Sequence, residues 1–377
     1  MDIEKIILRK LKVRMKNPFK TSFGSQQDRQ LYIVEVIDSK QRSGWGETVA
    51  GTFPWYSEET VETNRHIIEE VLIPLLRQAP ISHPDELMER FSKVKGNNMA
   101  KAALEGAIWD LYARQNHMTL VEAIGGTKEK IEVGVSIGLQ ESEEKLLELV
   151  GTYIKLGYKR VKLKIEPGND LEVVKSVRKA YPDINLMVDA NSAYTLEDAE
   201  HLAKLDEFNL MMIEQPLAHN DIIDHSELQA RIKTPICLDE SLHSLEDVKK
   251  AIKLKSCKIV NLKIGRVGGI SESKKIHDYC LENGISLWCG GMLELGIGRA
   301  HNIAITSLAG FDLPGDTSAS SNYWDEDIIS PEVTVENGLI SIPSGHGIGY
   351  DINHETLRKF TIDEKIIEMQ PSNASLS

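Results

Sequence analysis

Hydrophobic and polar positions follow two different patterns along the chain, and the change comes near residue 131. Beyond that point, short apolar segments are separated by longer segments with apolar residues at helical spacing. Asp170, Ser244 with Asp247, and Gly284 supply start and stop signals for the helical segments. The short segments predict strands: RVKLKI, NLMVDA, LMMIEQ, PICLDE, KIVNLKI and GISLWCGG. Strands that alternate with helices predict a parallel sheet.

Charged residues at the ends of these strands recur at a nearly constant interval. Lys164, Asp189, Glu214 and Asp239 lie 25 residues apart, and Lys263 follows after 24 more. A strand, a return helix and two loops need a segment of this length, so each interval predicts one β/α unit. Several right-handed units in succession close most easily into a β/α barrel.

Side chains alternate between the two faces of a strand, which fixes the direction of these charges. Helices cover the outside of a barrel, so the apolar residues of VKLKI point outward, and Lys162 and Lys164 point inward. The charges therefore meet at the carboxyl-terminal face, where barrel enzymes carry out their chemistry. The same argument directs a pair of residues from each following strand inward: Met187 and Asp189, Met212 and Glu214, Cys237 and Asp239, and Asn261 and Lys263.

Three carboxylates at one level, those of Asp189, Glu214 and Asp239, would repel one another unless a cation joined them. This ligand set has hard oxygens and no Cys or His, which suits Mg²⁺, and Mn²⁺ would be tolerated. The alternative is that strand ends are often polar, and that such acids cap helices or pair with lysines. Three acids at the same position of three consecutive strands favour a metal site over that alternative.

Lys164 precedes the acidic strands and Lys263 follows them, so we expect the two amines to face each other across the metal. An ammonium beside another ammonium and near a divalent cation is destabilised, so we predict that the pKa falls toward the range of a general base. The metal would bind a substrate carboxylate and stabilise the enediolate formed when the α-proton leaves. The pattern thus predicts proton abstraction next to a carboxylate. A solvated edge strand also shows the KLK alternation, but the carboxylate strands that follow argue against it.

The composition narrows the class of protein. A chain of 377 residues is longer than a single hydrophobic core usually supports, so two domains are expected. Residues 1 to about 125 mix strands such as LYIVEVID with amphipathic helices such as NNMAKAALEGAIWDLYARQ. This mixture predicts a separate α+β domain. The formal net charge of −13 disfavours nucleic acid and anionic membranes as partners. No signal-peptide core or membrane-spanning apolar run occurs in the sequence, so we expect a cytoplasmic protein. Buried free thiols are expected for the four cysteines: Cys237, Cys257, Cys280 and Cys289.

The motifs KLK, DAN, EQP, DES and KIGRVGG, in this order along the predicted barrel, resemble those of the enolase superfamily in its muconate-lactonizing subgroup. The helix ALEGAIWDLYAR and the closing segment NGLISIPSGHGIGYDI are similar to the family's capping domain and to its carboxyl-terminal return onto that domain. The resemblance implies an α/β fold: a modified (β/α)8-type, TIM-like (β/α)7β barrel with an N-terminal α+β capping domain. The implied segments are the capping domain at 1–125, the barrel at 126–325 and the returning segment at 326–377.

The segments CGGMLELGIGRAHN and DLPGDTSASSNYWDEDI resemble the family of o-succinylbenzoate synthases, many of which also racemize N-succinylamino acids. The resemblance implies Mg²⁺-dependent dehydration of 2-succinyl-6-hydroxy-2,4-cyclohexadiene-1-carboxylate in menaquinone biosynthesis, or racemization of N-acylamino acids, or both. It makes Lys164 the base and then the acid that helps hydroxide leave. Lys263 would stabilise the enediolate, and Lys162 would neighbour the substrate carboxylate. In a racemase, Lys164 and Lys263 would alternate as base and acid.

The resemblance also implies substrate contacts and supports for the ligand set. Asn191 and Glu240 would support the metal ligands, and Arg266 occupies a position linked with the racemizing members. An ordinary loop arginine paired with an acid is an equal alternative for Arg266. The loops NPFKTSFG and AGTFPWYSEE would cover the substrate, although their aromatic residues are also typical packing anchors. The implied substrate contacts are Phe19, Phe23, Trp55, Ser136, Asn191, Arg266, Gly291 and Met292.

Three other functions share parts of this pattern. Muconate cycloisomerase has the same lysines and ligands, but the final-strand region departs from it. Dipeptide epimerases usually carry Asp-x-Asp on the last strand, whereas here Asp312 is followed by Leu-Pro-Gly before Asp316. A non-catalytic barrel would usually have lost at least one charged strand ending, and none is lost. We therefore expect an enzyme that acts on a small-molecule carboxylate and forms a homo-oligomer.

Overall fold

Seven parallel strands, each paired with the next one along the chain, form the curved central sheet of the structure, a computed structural model. It describes residues 1–21 and 24–369, and the side chains of these residues except 19–21 and 24–26. The predicted alternation of strands and helices is confirmed. The strands are β5 (Val135–Ile137), β6 (Val161–Lys164), β7 (Leu186–Asp189), β8 (Ile213–Glu214), β9 (Ile236–Leu238), β10 (Ile259–Leu262) and β11 (Ser286–Cys289).

Helices follow these strands, and their start signals act as the sequence predicts. The side chain of Asp170 accepts a hydrogen bond from the Leu171 N–H at one helix start, and Ser244 accepts one from the Asp247 N–H at another. Short 3₁₀ turns at Leu196–Asp198 and Ala203–Phe208 flank α8. The helices are α6 (Glu143–Lys155), α7 (Leu171–Ala180), α8 (Ala199–Leu202), α9 (Ile223–Arg231), α10 (Leu245–Leu254), α11 (Ile264–Val267), α12 (Ile270–Glu282) and α13 (Gly296–Thr306).

An irregular segment closes the sheet into a barrel. The Asp316 N–H donates to the Cys289 carbonyl at 2.9 Å on the β11 side, and the Gly134 N–H beside β5 donates to the Gly315 carbonyl at 2.7 Å. The segment contains Pro314, which cannot donate a hydrogen bond to a strand ladder. The eighth position of the barrel is therefore filled by a stretch of chain that forms barrel hydrogen bonds without regular strand pairing.

The barrel interior confirms the predicted side-chain directions. Met187, Met212 and Cys237 pack together with Ile259 and Trp288 in an internal cluster. The apolar residues of β6, which were predicted to face outward, lie in the main core together with apolar residues of the surrounding helices. The alternation of the strands thus separates an outer apolar layer from an inner layer that leads to the charged tips.

Four antiparallel strands form a second sheet, in the order β15–β1–β2–β3: β1 (Ile3–Thr21), β2 (Gly24–Asp38), β3 (Ser43–Glu47) and β15 (Thr361–Glu368). Its helices are α1 (Val61–Ile67), α2 (Ile73–Leu76), α3 (Glu86–Arg90), α4 (Asn98–Gln115) and α5 (Leu120–Ile124), with a π-helical turn at Ile68–Leu72. Short pairs join β4 (Lys130–Glu132) to β13 (Leu339–Ser341) and β12 (Ile329–Ser330) to β14 (Asp351–Ile352), and the helix α14 (His354–Phe360) precedes β15. The boundaries expected at 1–125, 126–325 and 326–377 stay a prediction.

The segment NPFKTSFG differs from its predicted form. We expected a covering loop, but β1 continues to Thr21 and β2 begins at Gly24, so the described part of this segment belongs to two long paired strands. The pairing register is irregular between Arg14 and Phe19, where the turn-forming residues Asn17 and Pro18 lie. These residues therefore make a local irregularity within the hairpin instead of ending the strand.

The helix α4 is buried around most of its surface, which corrects the amphipathic pattern predicted for it. It lies between β3 and the barrel. On one side, a Cβ added to Gly44 would come within 2.2 Å of the Ala107 carbonyl oxygen, so only glycine allows this approach. On the other side, the buried carboxylate of Glu105 accepts a hydrogen bond from the Ser271 N–H at the start of α12 at 3.0 Å. A close backbone approach thus packs α4 against β3, and a buried carboxylate joins it to α12.

All four cysteines are buried and form no disulfide. In the part of the chain that the structure describes, no helix combines the length and apolar character needed to cross a membrane.

Candidate active site

The charged residues singled out by their spacing lie together at the tips of neighbouring strands. Lys164 pairs with Asp189 in the register of β6 and β7, and Asp189 pairs with Glu214 in that of β7 and β8. Asp239 directly follows β9, and Lys263 directly follows β10. The three carboxylates are at most 2% exposed. The structure thus collects five positions, spread over 100 residues of sequence, at one end of the barrel.

Lys164 is held by two oxygen atoms of the β7 tip. Its Nζ donates to Oδ2 of Asp189 at 2.5 Å and to Oδ1 of Asn191 at 2.6 Å. The side-chain amide of Asn191 in turn donates to Oε1 of Glu240 at 3.0 Å. Asn191 therefore links Lys164 to Glu240, and its amide oxygen is fixed toward the lysine.

Lys263 is held by a barrel carboxylate and by a tyrosine from outside the barrel. Its Nζ donates to Oδ2 of Asp239 at 2.7 Å and to the hydroxyl of Tyr56 at 3.2 Å. The same ammonium lies 4.5 Å from the centre of the Tyr56 ring, within the range of a cation–π contact. The Tyr56 hydroxyl donates to Oδ1 of Asp239 at 2.8 Å. These three groups form one closed network.

Arg266 lies behind this network. Its Nε donates to the Leu242 carbonyl at 2.6 Å, and its Nη1 donates to Oδ1 of Asp239. The guanidinium is 2% exposed, and Arg266 is not among the described residues that line the cavity below. Its placement corresponds to the alternative of an arginine paired with an acid, not to direct contact with a substrate. The acid it pairs with is one of the predicted metal ligands.

Lys162 bridges the acidic tips and the irregular closing segment. Its Nζ donates to Oδ2 of Asp316 at 2.6 Å and to Oε2 of Glu214 at 3.1 Å. Arg160, on the same side of the barrel, donates to the other oxygen of Asp316 at 2.6 Å. The Lys162 ammonium also lies 4.8 Å from the Trp288 ring centre. Asp316 thus neutralises two buried cations at the seam of the barrel.

Burial and neighbouring charge set the protonation of the buried acids. Burial raises the pKa of Glu214 well above its usual range, and the nearby Asp189 carboxylate raises it further. Burial also raises the pKa of Glu240, to about 7, with contributions from Asp239 and Asp189. Burial disfavours ionisation of Asp189 and Asp239 as well, but the lysine and arginine groups around them outweigh it and lower the pKa of both. The site thus holds ionised carboxylates beside acids that resist ionisation.

Facing carboxylates raise the pKa of both Lys162 and Lys263. Burial alone would lower the pKa of each, but facing carboxylates outweigh it. Asp316 is the strongest of these for Lys162, and Asp239 is the strongest for Lys263, so both pKa values are raised. The lower lysine pKa expected for Lys164 and Lys263 beside a divalent cation stays a prediction.

The donor set at the tips fits a divalent cation in its chemistry. The described residues contain no group of three or more His, Cys, Asp or Glu side chains arranged to hold a metal ion, and Asp189, Glu214 and Asp239 each form an ion pair with a lysine. Even so, Glu214 lies near enough to Asp189 and Asp239 for their charges to raise its pKa. Buried oxygens without a hydrogen-bond partner remain on Glu240 and Asn261. Hard oxygen donors that repel one another favour Mg²⁺.

A cavity of about 370 Å³ lies over the charged tips. Residues from both sheets contribute to its wall, and Trp55, which is 55% exposed, stacks on Phe53 at 5.1 Å between ring centres. Phe23 and the side chain of Phe19 lie outside the described residues, so their predicted contacts stay predictions. The predicted site residues that line the cavity are Lys162, Lys164, Lys263, Asp189, Trp55, Ser136, Asn191, Gly291 and Met292.

Several cavity residues were not predicted to belong to the site, among them Tyr56, Asp316 and Arg29. Tyr56 follows Trp55 in the covering loop, and no pattern of the sequence separates it from the other aromatic residues there. Asp316 was noted only as departing from the Asp-x-Asp pattern, because a segment with Leu-Pro-Gly does not predict a barrel position. Arg29 lies on β2, two residues before Leu31 of the apolar stretch LYIVEVID, and the alternation of this strand was the available signal.

Two family models match the chain. Residues 3–125 match the mandelate racemase / muconate lactonizing enzyme N-terminal domain, and residues 145–356 match the enolase C-terminal domain-like model. Together they cover most strands of both sheets described above.

Similar proteins of known name cover nearly the whole chain. An o-succinylbenzoate synthase of Geobacillus kaustophilus is 58% identical over 96% of both chains. An N-succinylamino acid racemase of Thermus thermophilus is 43% identical over 96% of this chain and 98% of its own. A solved structure of an enolase superfamily member from Listeria innocua superposes with a TM-score of 0.95 at 46% identity, over 98% of this chain and all of its own. The chain therefore belongs to the enolase superfamily, in the family of o-succinylbenzoate synthases and N-succinylamino acid racemases.

Proposed function

We propose that the protein is an o-succinylbenzoate synthase, which dehydrates 2-succinyl-6-hydroxy-2,4-cyclohexadiene-1-carboxylate to o-succinylbenzoate in menaquinone biosynthesis. One observation carries the proposal: Lys164 and Lys263 line the same cavity, on strands that lie on either side of the three acidic strands. The names of relatives with 48% to 58% identity support it. Two amines at one substrate carbon suit a reaction that removes a proton next to a carboxylate.

In this reaction, the neutral amine of Lys164 takes the proton from the carbon that bears the carboxylate. Lys263, as an ammonium, stabilises the negative charge that develops on the resulting enediolate. The enediolate electrons then form the ring double bond as the carbon–oxygen bond breaks, and Lys164 returns its proton to the leaving hydroxide to give water. Lys162 lies in the same wall, where its charge attracts the substrate carboxylate.

Members of the enolase superfamily depend on divalent metals, and we propose Mg²⁺ for this chain, with Mn²⁺ as a substitute. Asp189, Glu214 and Asp239 would hold the ion, and Asn191 and Glu240 would support these ligands. When bound, the ion supplies Lewis-acid stabilisation of the enediolate.

A second activity, racemization of N-succinylamino acids, is favoured by the network around Lys263. Asp239 and Tyr56 hold this amine in the cavity wall, so a second proton-transfer group has a fixed position. In racemization, Lys164 would remove the α-proton from one enantiomer and Lys263 would protonate the opposite face. Relatives named N-succinylamino acid racemase at 43% and 44% identity support this activity.

Parallel assays of the purified protein test both activities. With added Mg²⁺, we expect formation of o-succinylbenzoate and racemization of N-succinylphenylglycine, and chelation of the metal should abolish both. Absence of o-succinylbenzoate formation would exclude the synthase. If, in addition, the protein exchanged no α-proton of either compound in deuterated water, the barrel would be a non-catalytic one.

We further propose that the enzyme is a cytoplasmic homo-oligomer that acts on small carboxylates and binds neither nucleic acid nor membranes. The net charge of −13 supports the exclusion of polyanionic partners. Light scattering coupled to size-exclusion chromatography tests the oligomer, and a single species at the mass of one chain would exclude it.

A further inference from the structure

Arg29, on β2, is a buried cation whose hydrogen bonds go to backbone carbonyls. It is 2% exposed, lines the cavity, and donates to the carbonyls of Val49 at 2.7 Å, Ala50 at 3.0 Å and Met292 at 3.4 Å. Its Nε is buried and has no hydrogen-bond partner in the described structure. A guanidinium has five N–H donors, so Arg29 keeps donors that no described protein atom accepts.

Arg299, on α13, is a second buried cation of the same kind. It is 3% exposed, lines the same cavity, and donates to the carbonyls of Glu294 at 3.0 Å and of Ser318. Arg29 and Arg299 thus both bind backbone atoms of the turn at residues 292–294. We call the part of the cavity formed by these two arginines and this turn the arginine lobe.

The carboxylates around the arginine lobe do not pair with it. Within the described residues, no ion pair joins Arg29 or Arg299 to an acid, and residues 19–26 and 370–377 contain no Asp or Glu. The oxygens of Glu294 accept hydrogen bonds from the Met292 N–H at 2.8 Å and the Asn302 side chain at 3.0 Å. Glu47 is the other acid whose charge acts on Arg29, and burial raises the pKa of Glu47 to about 8. Buried cations are normally paired, so each arginine lacks a directly bound anion.

We infer that the arginine lobe binds the distal carboxylate of a dicarboxylate substrate, the one at the end of the succinyl arm. This inference rests on the proposed function, because both proposed substrates carry a succinyl arm in addition to the carboxylate at the reacting carbon. The charged strand tips bind the end of the substrate that reacts, and the arginine lobe binds the carboxylate at its other end. Guanidinium groups suit this task because their planar fork matches a carboxylate and their charge strengthens the hydrogen bonds.

Substrate pairs that differ only in the distal carboxylate test this inference. N-butyrylphenylglycine replaces the terminal carboxylate of N-succinylphenylglycine by a methyl group, and 2-butyrylbenzoate does the same for o-succinylbenzoate. Turnover of the first pair and calorimetric binding of the second are measured for wild type, Arg29→Met, Arg29→Lys and Arg14→Met. Arg14 is an exposed arginine on β1 outside the cavity lining, so its variant controls for loss of one positive charge.

We expect wild type and Arg14→Met to prefer the succinyl compounds, and Arg29→Met to reduce that preference by about tenfold or more. Arg29→Lys should keep much of the preference, because the charge remains although the fork is lost. Equal losses with both members of a pair would show that Arg29 only holds the loops together and would overturn the inference, as would a wild type without preference. If wild type turned over no substrate, the proposed function would fail, and the binding comparison would still decide the inference.

Discussion

The hydroxyl of Tyr56 lies 2.8 Å from Oδ1 of Asp239, and this hydrogen bond joins a loop outside the barrel to one of its charged strand tips. The same hydroxyl also accepts a hydrogen bond from Lys263. A single residue of the covering loop therefore touches a predicted metal ligand and the second amine. The position of Lys263 is thus coupled to the seating of this loop over the cavity.

Replacing Tyr56 by Phe removes this coupling but keeps the ring under the Lys263 ammonium. We expect α-proton exchange to slow by about tenfold for the enantiomer of N-succinylphenylglycine that Lys263 deprotonates, and to change less for the other, since one hydrogen bond to a charged group is lost. Exchange in deuterated water, followed by NMR for each enantiomer, measures this. Tyr279→Phe, on α12 outside the cavity lining, makes the same change away from Lys263 and is the control. Equal slowing of both enantiomers would argue for a general loss of structure.

Replacing Lys164 by Ala should abolish both the synthase and the racemase activity. Both reactions need a proton transferred at this position, and loss of a general base costs on the order of 10³-fold or more in rate. Lys175→Ala, at an exposed position on α7, provides the control. Circular dichroism should be unchanged in both variants. Synthase turnover close to wild type in the Lys164 variant would show that another group is the base.

Replacing Asp239 by Asn should weaken Mg²⁺ binding by about tenfold or more, the scale expected when a ligand set is disturbed. Isothermal titration with Mg²⁺ measures this without any dependence on turnover. Asp278→Asn, at a largely exposed carboxylate of α12, tests for nonspecific loss of negative charge. An unchanged Mg²⁺ titration in the Asp239 variant would mean that the predicted ligand set is wrong.

Glu47 should make the stability of the fold depend on pH. Burial raises its pKa from 4.5 to about 8, so between these values the folded chain keeps a proton that the unfolded chain releases. Its contribution to the free energy of unfolding therefore falls as pH rises through this window, by up to about 1.4 kcal/mol per pH unit. Glu47→Gln cannot titrate at this position. In urea unfolding, the free energy of unfolding of the wild type should therefore fall relative to that of the variant between about pH 5.5 and about pH 7.5. A constant difference would contradict the assigned shift.

Much of the site could be predicted because its charged residues lie at the ends of regular strands. Asp189 and Glu214 end short strands whose side chains alternate, so spacing gives the unit and alternation gives the direction. Asp316 escaped prediction because it lies in a segment with Pro314 and Gly315, where no alternation marks a strand, and only hydrogen bonds to distant strands place it in the barrel.

Contacts between distant parts of the chain could not be predicted from the sequence either. Tyr56 reaches Asp239 over 183 residues of chain, and nothing in the local pattern of AGTFPWYSEE indicates which aromatic residue does so. The helix α4 was predicted to be amphipathic, yet neighbours on two sides bury it, and Glu105 is satisfied by the start of α12. Local patterns predict elements, whereas such contacts depend on how the elements are assembled.

The central claim is that Lys164 and Lys263 reach the same substrate carbon from opposite sides. The most direct test is α-proton exchange of each enantiomer of N-succinylphenylglycine in deuterated water, with Mg²⁺, by wild type, Lys164→Ala and Lys263→Ala. We predict that wild type exchanges both enantiomers and that each variant retains exchange of one only, a different one in the two cases. Exchange of both enantiomers by either variant, or loss of the same enantiomer in both, would contradict the claim.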